Sequence, residues 1–101
     1  MTPKDVLRKA ADLIEEAGWT RGTYARDAEG KPCYFDSKLA RCYCANGAMQ
    51  AVTARSESDK VYREAYDLLC KRLGVSFISE WNDSLLTSGE VVRALREVAE
   101  T

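Results

Sequence analysis

The sequence predicts a mainly α fold, a small single-domain bundle of about four helices around a buried central helix, flanked by a short β-hairpin or ordered loop. Three observations carry that prediction. Apolar residues recur at helical spacing behind clear start signals near Thr2, near residue 58 and at Thr87. The stretch Cys42–Ala54 is apolar on most of its helical circumference, with Asn46, Gln50 and Thr53 forming one narrow polar stripe. Between the first and central helices, residues 20–41 lose the helical period and gain turn residues.

The first helix opens at Thr2-Pro3-Lys4-Asp5. Thr2 can cap, Pro3 suits the first helical position and Asp5 completes a capping box. Val6, Leu7, Ala10, Leu13, Ile14 and Ala17 form its apolar stripe, and Asp5 is spaced to pair with Lys9. Gly18 is expected to end it in a left-handed cap, with Trp19 making the closing hydrophobic contact. Next, Thr23–Arg26 and Cys33–Phe35 flank Asp27-Ala28-Glu29-Gly30, which has Asp first and Gly last as a type I turn prefers. Pro32 restricts this hairpin to a sheet edge. Its aromatic residues either cover the core from outside or form a contact surface.

The central helix is expected to begin between Ser37 and Arg41, and its small residues Ala45, Gly47, Ala48 and Ala51 admit close neighbours. Ser56 or Ser58 can cap the third helix, which carries Val61, Ala65, Leu68, Leu69 and Leu73 inward, with Tyr62 and Tyr66 beside them, until Gly74. Residues 75–81 read as a single helical turn with Phe77, Ile78 and Trp81 inward, and Asn82-Asp83-Ser84 as the bend after it. Thr87-Ser88-Gly89-Glu90 is a second capping box, opening a last helix that buries Val91, Val92, Leu95, Val98 and Ala99.

Composition narrows the function. One hundred and one residues make one domain spanning 1–101, with fifteen basic against sixteen acidic side chains and a net charge of −1. That balance leaves no phosphate-binding footprint, and residues 76–84, the would-be recognition segment of a helix-turn-helix, hold no basic residue. Nucleic acid is therefore not an expected partner. No apolar run is long enough to span a membrane, and the N-terminus lacks a signal-peptide core, so a cytoplasmic location is expected. In that compartment the Asn82-Asp83-Ser84 glycosylation pattern is coincidental.

The chain has four cysteines (33, 42, 44 and 70) and no histidine. The usual general base, thiol activator and commonest zinc ligand are all missing. Cys42-x-Cys44 is poorly spaced for zinc, since two helical side chains two residues apart point about 200° from each other. No metal or cofactor is expected. Cys42 or Cys44, near a helix N-terminus and beside Arg41, is the candidate for an activated thiol, with a carboxylate such as Asp83 in place of histidine. The plainer reading makes the cysteines core filler. Trp81-Asn82-Asp83 is either a binding edge or a turn built on a core tryptophan.

Several of these stretches occur together in a known family. The chain ends its first helix with Glu15-Glu16-Ala17-Gly18-Trp19. It continues through an Ala-Arg-Asp-Ala-x-Gly-x-Pro hairpin from Ala25 to Pro32, then Cys44-Ala45-x-Gly47-Ala48 and Trp81-Asn82-Asp83. It closes on Thr-x-x-Glu-Val-x-x-Ala-Leu-Arg from Thr87 to Arg96. In this it resembles an uncharacterised small-domain family of actinobacterial and bacteriophage genomes, over nearly its whole length. It departs from the family where Ser84-Leu85-Leu86 replaces a Pro-Gly bend. The resemblance carries no activity; it implies a phage or prophage accessory protein. The expected role is non-catalytic: binding a protein partner that is a host or defence component, with Tyr24, Tyr34, Trp81, Asn82 and Asp83 as possible interface residues. The alternative is a cysteine-dependent enzyme or thiol sensor using Cys42 or Cys44.

Overall fold

The computed structural model describes residues 1–54 and 59–101. In chain order the elements are α1 (Pro3–Ala17), β1 (Ala25–Arg26), β2 (Pro32–Cys33), β3 (Cys42–Tyr43), α2 (Ala45–Thr53), α3 (Asp59–Leu73), α4 (Ile78–Ser84) and α5 (Ser88–Ala99). The fold is mainly α, as the periodicity predicts, with a fifth helix where a single turn was expected.

Both capping boxes form. Thr2 and Asp5 exchange bonds of 3.0 and 3.1 Å at the start of α1, and Thr87 and Glu90 exchange bonds of 3.1 and 3.3 Å at the start of α5. Asp5 pairs with Arg8 at 3.2 Å, one residue short of the expected Lys9. The α1 stripe buries Val6, Leu7, Ala10, Ala11 and Ile14, while Ala17 is exposed, so the buried face lies slightly round from the one read in the sequence. It packs mainly on α5 and α2. From α5 come Val91, Val92, Leu95, Val98 and Ala99, from α2 Ala45, Ala48 and Met49, and from α3 Val61, Ala65 and Leu69. The Ser56 or Ser58 cap of α3 lies outside the described residues.

Gly18 ends α1, and its N–H donates to Ile14 O at 2.8 Å, but not in the left-handed helical conformation expected. Its φ is 127° and ψ 167°, an extended geometry that disfavours a side chain. The reason is that the chain runs straight into sheet-like pairing: Tyr43 N–H donates to Gly18 O and Thr20 N–H to Tyr43 O, each at 3.1 Å. Trp19 packs partly buried against the core.

The hairpin is present with its turn. Asp27 O accepts from Gly30 N–H at 3.0 Å, and Ala25 pairs Cys33 while Arg26 pairs Pro32, antiparallel. Pro32 lies on an edge strand, since the sheet order is β2-β1-β3. The third strand was not expected. Residues 42–43 pair with β1 (Ala25 opposite Tyr43, Arg26 opposite Cys42), and the central helix begins only at Ala45. Cys44 sets that boundary: its extended backbone turns the chain, its carbonyl accepts from Ala48 N–H at 2.8 Å and its Sγ from Gly47 N–H at 3.2 Å. The polar stripe of α2 is covered by α3. Tyr62 donates its hydroxyl to Asn46 Oδ1 at 2.5 Å and accepts from Gln50 Nε2 at 3.2 Å.

Two expectations near the C-terminus are corrected. Phe77 is 58% exposed, because it precedes α4 in an extended conformation and Ile78 takes the core position instead. Asn82-Asp83-Ser84 is the last turn of α4, not a bend, and the chain leaves the helix at Leu85.

Candidate functional site

The loop 19–24, the N-terminus of α2 and the end of α4 meet around Asn82. Its side chain is fully buried and satisfied at both ends. Oδ1 accepts from Trp19 Nε1 at 2.7 Å and from Ala45 N–H at 2.9 Å. Nδ2 donates to Thr20 O at 3.1 Å and to Asp83 Oδ1 at 3.2 Å. One amide therefore joins three segments distant in sequence and satisfies a first-turn donor of α2. Asp83 extends the tie, its Oδ1 accepting from Gly22 N–H at 3.0 Å.

A second close approach locks the same region. Tyr24 O accepts from Cys44 N–H at 3.0 Å, and the backbone of Tyr24 lies so near Gly47 that a Cβ there would collide with the Tyr24 carbonyl. The small residues of the central helix do admit a close neighbour, but at Gly47 it is a loop rather than a helix. Arg26 braces the loop from the other side, donating to Thr20 Oγ1 at 2.8 Å, Gly30 O at 3.0 Å and Arg21 O at 3.1 Å.

Between these parts opens a cleft of about 330 Å³ lined by Gly22, Thr23, Tyr24, Cys44, Ser79 and Asp83. It brings together Cys44 and Asp83, the thiol and the carboxylate considered from sequence. Cys44 is buried, 3% exposed. Burial pushes its thiol above the ordinary value; the N–H groups of Gly47 and Asn46 pull it back, and the Asp83 charge raises it again. The thiol is thus held protonated at neutral pH, and its sulfur serves as a helix cap. Cys42 lies in β3, with Sγ 4.0 Å from Arg26 O, rather than at a helix N-terminus. Cys33 is in β2 and Cys70 in α3, and burial raises both thiols.

The remaining expected interface residues separate. Tyr24 is 43% exposed on the cleft and Tyr34 is 79% exposed on the loop after β2. Trp81 is half-buried against the core, and Asp83 is exposed. Asn82 offers no surface to a partner, because every polar atom of its buried side chain is engaged inside the fold. Sequence reading missed Arg26 and Ser79, and the capping role of Cys44. Only the last left a signal, a small polar atom just before the apolar run of α2.

Two of the other concavities among the described residues are larger than this cleft. One of about 530 Å³ lies between α1, α2 and the loop 34–40, with Leu13, Phe35, Lys38, Tyr43 and Val52 in its walls. The other, about 550 Å³, lies beside Arg96, whose guanidinium is already paired with Asp12 at 3.0 Å and Glu15 at 2.9 Å.

No helix among the described residues is long and apolar enough to cross a membrane. None of the curated proteins and none of the solved structures compared with the chain matches it. The match that exists is to a family model covering residues 1–101, and the chain belongs to that family, DUF6197, a family of unknown function.

Proposed function

We propose that the chain is a non-catalytic, cytoplasmic protein-binding accessory domain, encoded by a phage or prophage and acting on a host or defence component. The observation that supports this reading most is the loop 34–40. Tyr34 and Leu39 stand 79% and 63% exposed on it, beside the groove walled by Leu13, Phe35 and Val52. Large apolar side chains left outside and grouped beside a concavity with apolar walls and a charged rim fit an interaction surface. The polar groups with chemical potential are turned to structure instead: Asn82 ties the fold and Cys44 caps a helix. The rival thiol reading needs a thiolate, and burial together with Asp83 opposes one at Cys44.

The full chain, tagged and incubated with lysate of its native host, tests both readings. A specific protein should be retained by the wild type and by Cys44→Ser, which puts a capping oxygen in place of the sulfur. Tyr34→Ala with Leu39→Ala should lose it at unchanged melting temperature. Retention by that double variant sinks the proposed surface. Rapid labelling of Cys42 or Cys44 by iodoacetamide in the folded protein would favour the thiol reading.

A further inference from the structure

One oxygen of Asp83 is fixed by the fold and the other is left for something else. Oδ1 accepts from Gly22 N–H at 3.0 Å and from Asn82 Nδ2 at 3.2 Å, so the carboxylate is held in place at the mouth of the cleft. Oδ2 accepts no hydrogen bond among the described residues, and none of the ion pairs among them involves Asp83. The neighbouring cation is engaged elsewhere: Arg21 lies 5.7 Å from the centre of the Trp19 ring and donates to Leu85 O at 3.1 Å.

The other walls are suited to a hydrogen-bond donor carrying positive charge. Thr23 and Ser79 bring hydroxyls, Tyr24 an aromatic side chain, and Cys44 a neutral floor. The N-terminus of α2 also faces this region and would on its own attract an anion. Three of its first four donors are taken, however. Ala45 N–H goes to Asn82, Gly47 N–H to Cys44 Sγ and Ala48 N–H to the Cys44 carbonyl. With Asp83 at the mouth, an anion is repelled. The volume, about 330 Å³, matches one long side chain or a small amine rather than a nucleotide cofactor.

We infer that this cleft is a cation site that takes a guanidinium or primary ammonium group on Asp83 Oδ2, with the Ser79 and Thr23 hydroxyls as further acceptors. A carboxylate already oriented by two hydrogen bonds loses little freedom on binding, and a charge-assisted pair at its free oxygen is the strong kind. The group can be borne by a free small molecule or by an Arg or Lys side chain of a partner. The site does not depend on the Tyr34 and Leu39 surface, and the probes below contain no partner protein.

The isotope-labelled full chain is titrated with methylguanidinium and, separately, with N-acetyl-arginine methylamide, at ionic strength matched by sodium chloride. Amide signals of Gly22, Thr23, Ser79 and Asp83 should shift and saturate with either probe, and sodium chloride alone should leave them in place. Tighter binding of the arginine amide assigns the site to a side chain, and equal binding to a free cation. Asp83→Asn keeps an acceptor for Gly22 and Asn82 but presents an amino group at the free position. It should weaken both probes by roughly ten-fold or more, with the Gly22 amide and Trp19 indole signals unmoved. If that variant disturbs those signals, Ser79→Lys provides the second arm, since a tethered ammonium at the wall should block both probes. Absence of saturable shifts in the wild type overturns the inference. So does an undiminished titration in Asp83→Asn or Ser79→Lys.

Discussion

The α1–α5 pair and the 19–44 segment are held by different physics. The two helices bury continuous apolar faces, from Val6 to Ile14 on one and Val91 to Ala99 on the other. Each residue there contributes a share, and no single polar bond decides the packing. The segment 19–44 has strands of two residues each and few buried side chains, Ala25 and Ala40 among them. It is held at points: Asn82 at Trp19 and Thr20, Gly47 against Tyr24, Arg26 across its own loop. A distributed interface should tolerate single changes, and a pointwise one should not.

The sharpest test is Asn82→Ala. It leaves Trp19 Nε1, the Ala45 N–H and the Thr20 carbonyl without their partner, and each buried group so orphaned costs roughly 1–3 kcal/mol. With partial relief by water, a loss on the order of 3–5 kcal/mol is expected. The comparison also predicts where the damage begins. Amide exchange should accelerate first at residues 19–26 and 42–45, while the middle of α1 and α5 keeps exchanging with global unfolding. Uniform loss of protection would mean the two regions form one cooperative unit.

Next in size are two substitutions in α2. Gly47→Ala drives a methyl group into the Tyr24 carbonyl, a backbone atom that cannot swing away, and should cost about 3 kcal/mol. Ala48→Leu, at a fully buried position facing the helices, should cost roughly 1–3 kcal/mol, because side chains can shift to receive it. Urea midpoints of the two variants rank them. If Ala48→Leu proves the worse, the helical interface is less forgiving than the loop contact.

What the sequence showed follows the same division. Residues whose partners share their own helix period announced themselves. The stripes of α1, α3 and α5 and both capping boxes were legible because their signal is local and repeated. The Asp27–Gly30 turn was legible for a similar reason, its chemistry lying within four residues. Asn82 was not. Its partners lie 37, 62 and 63 residues away, and nothing near it distinguishes a long-range tie from a turn former. β3 escaped because two residues carry no period, and Cys42 and Tyr43 continue the apolar run that was read as α2. The cleft itself required the meeting of three segments. Cys44 and Asp83 were considered together as thiol and carboxylate, and the fold lines one cleft with both, but only the fold shows the sulfur acting as a cap.

A smaller effect probes the distributed side. Thr87→Ala removes the oxygen that accepts from Glu90 N–H at 3.3 Å and should cost about 1 kcal/mol, leaving exchange at residues 19–26 unaltered. A loss several times larger would show that the start of α5 is itself a point of attachment.

The smallest expected effect is the pH dependence of the two capping boxes. Bonds from the Leu86 and Thr87 N–H groups hold the Glu90 carboxyl below its ordinary value. The bond from Thr2 N–H does the same for Asp5, its hydroxyl and the Arg8 charge adding to the shift. A carboxyl whose folded pKa is depressed contributes stability that is fully present above its unfolded pKa, about 4, and is lost as pH falls through the folded value. Melting temperature should therefore decline as pH drops below about 4. Glu90→Gln should flatten part of that decline, since its amide oxygen can still accept from Leu86 and Thr87 but no longer titrates. The two proteins should differ at pH 6 and converge as acid protonates the wild-type carboxyl. If their melting curves run parallel from pH 6 to pH 3, the α5 cap is held by geometry alone, without a share from the Glu90 charge.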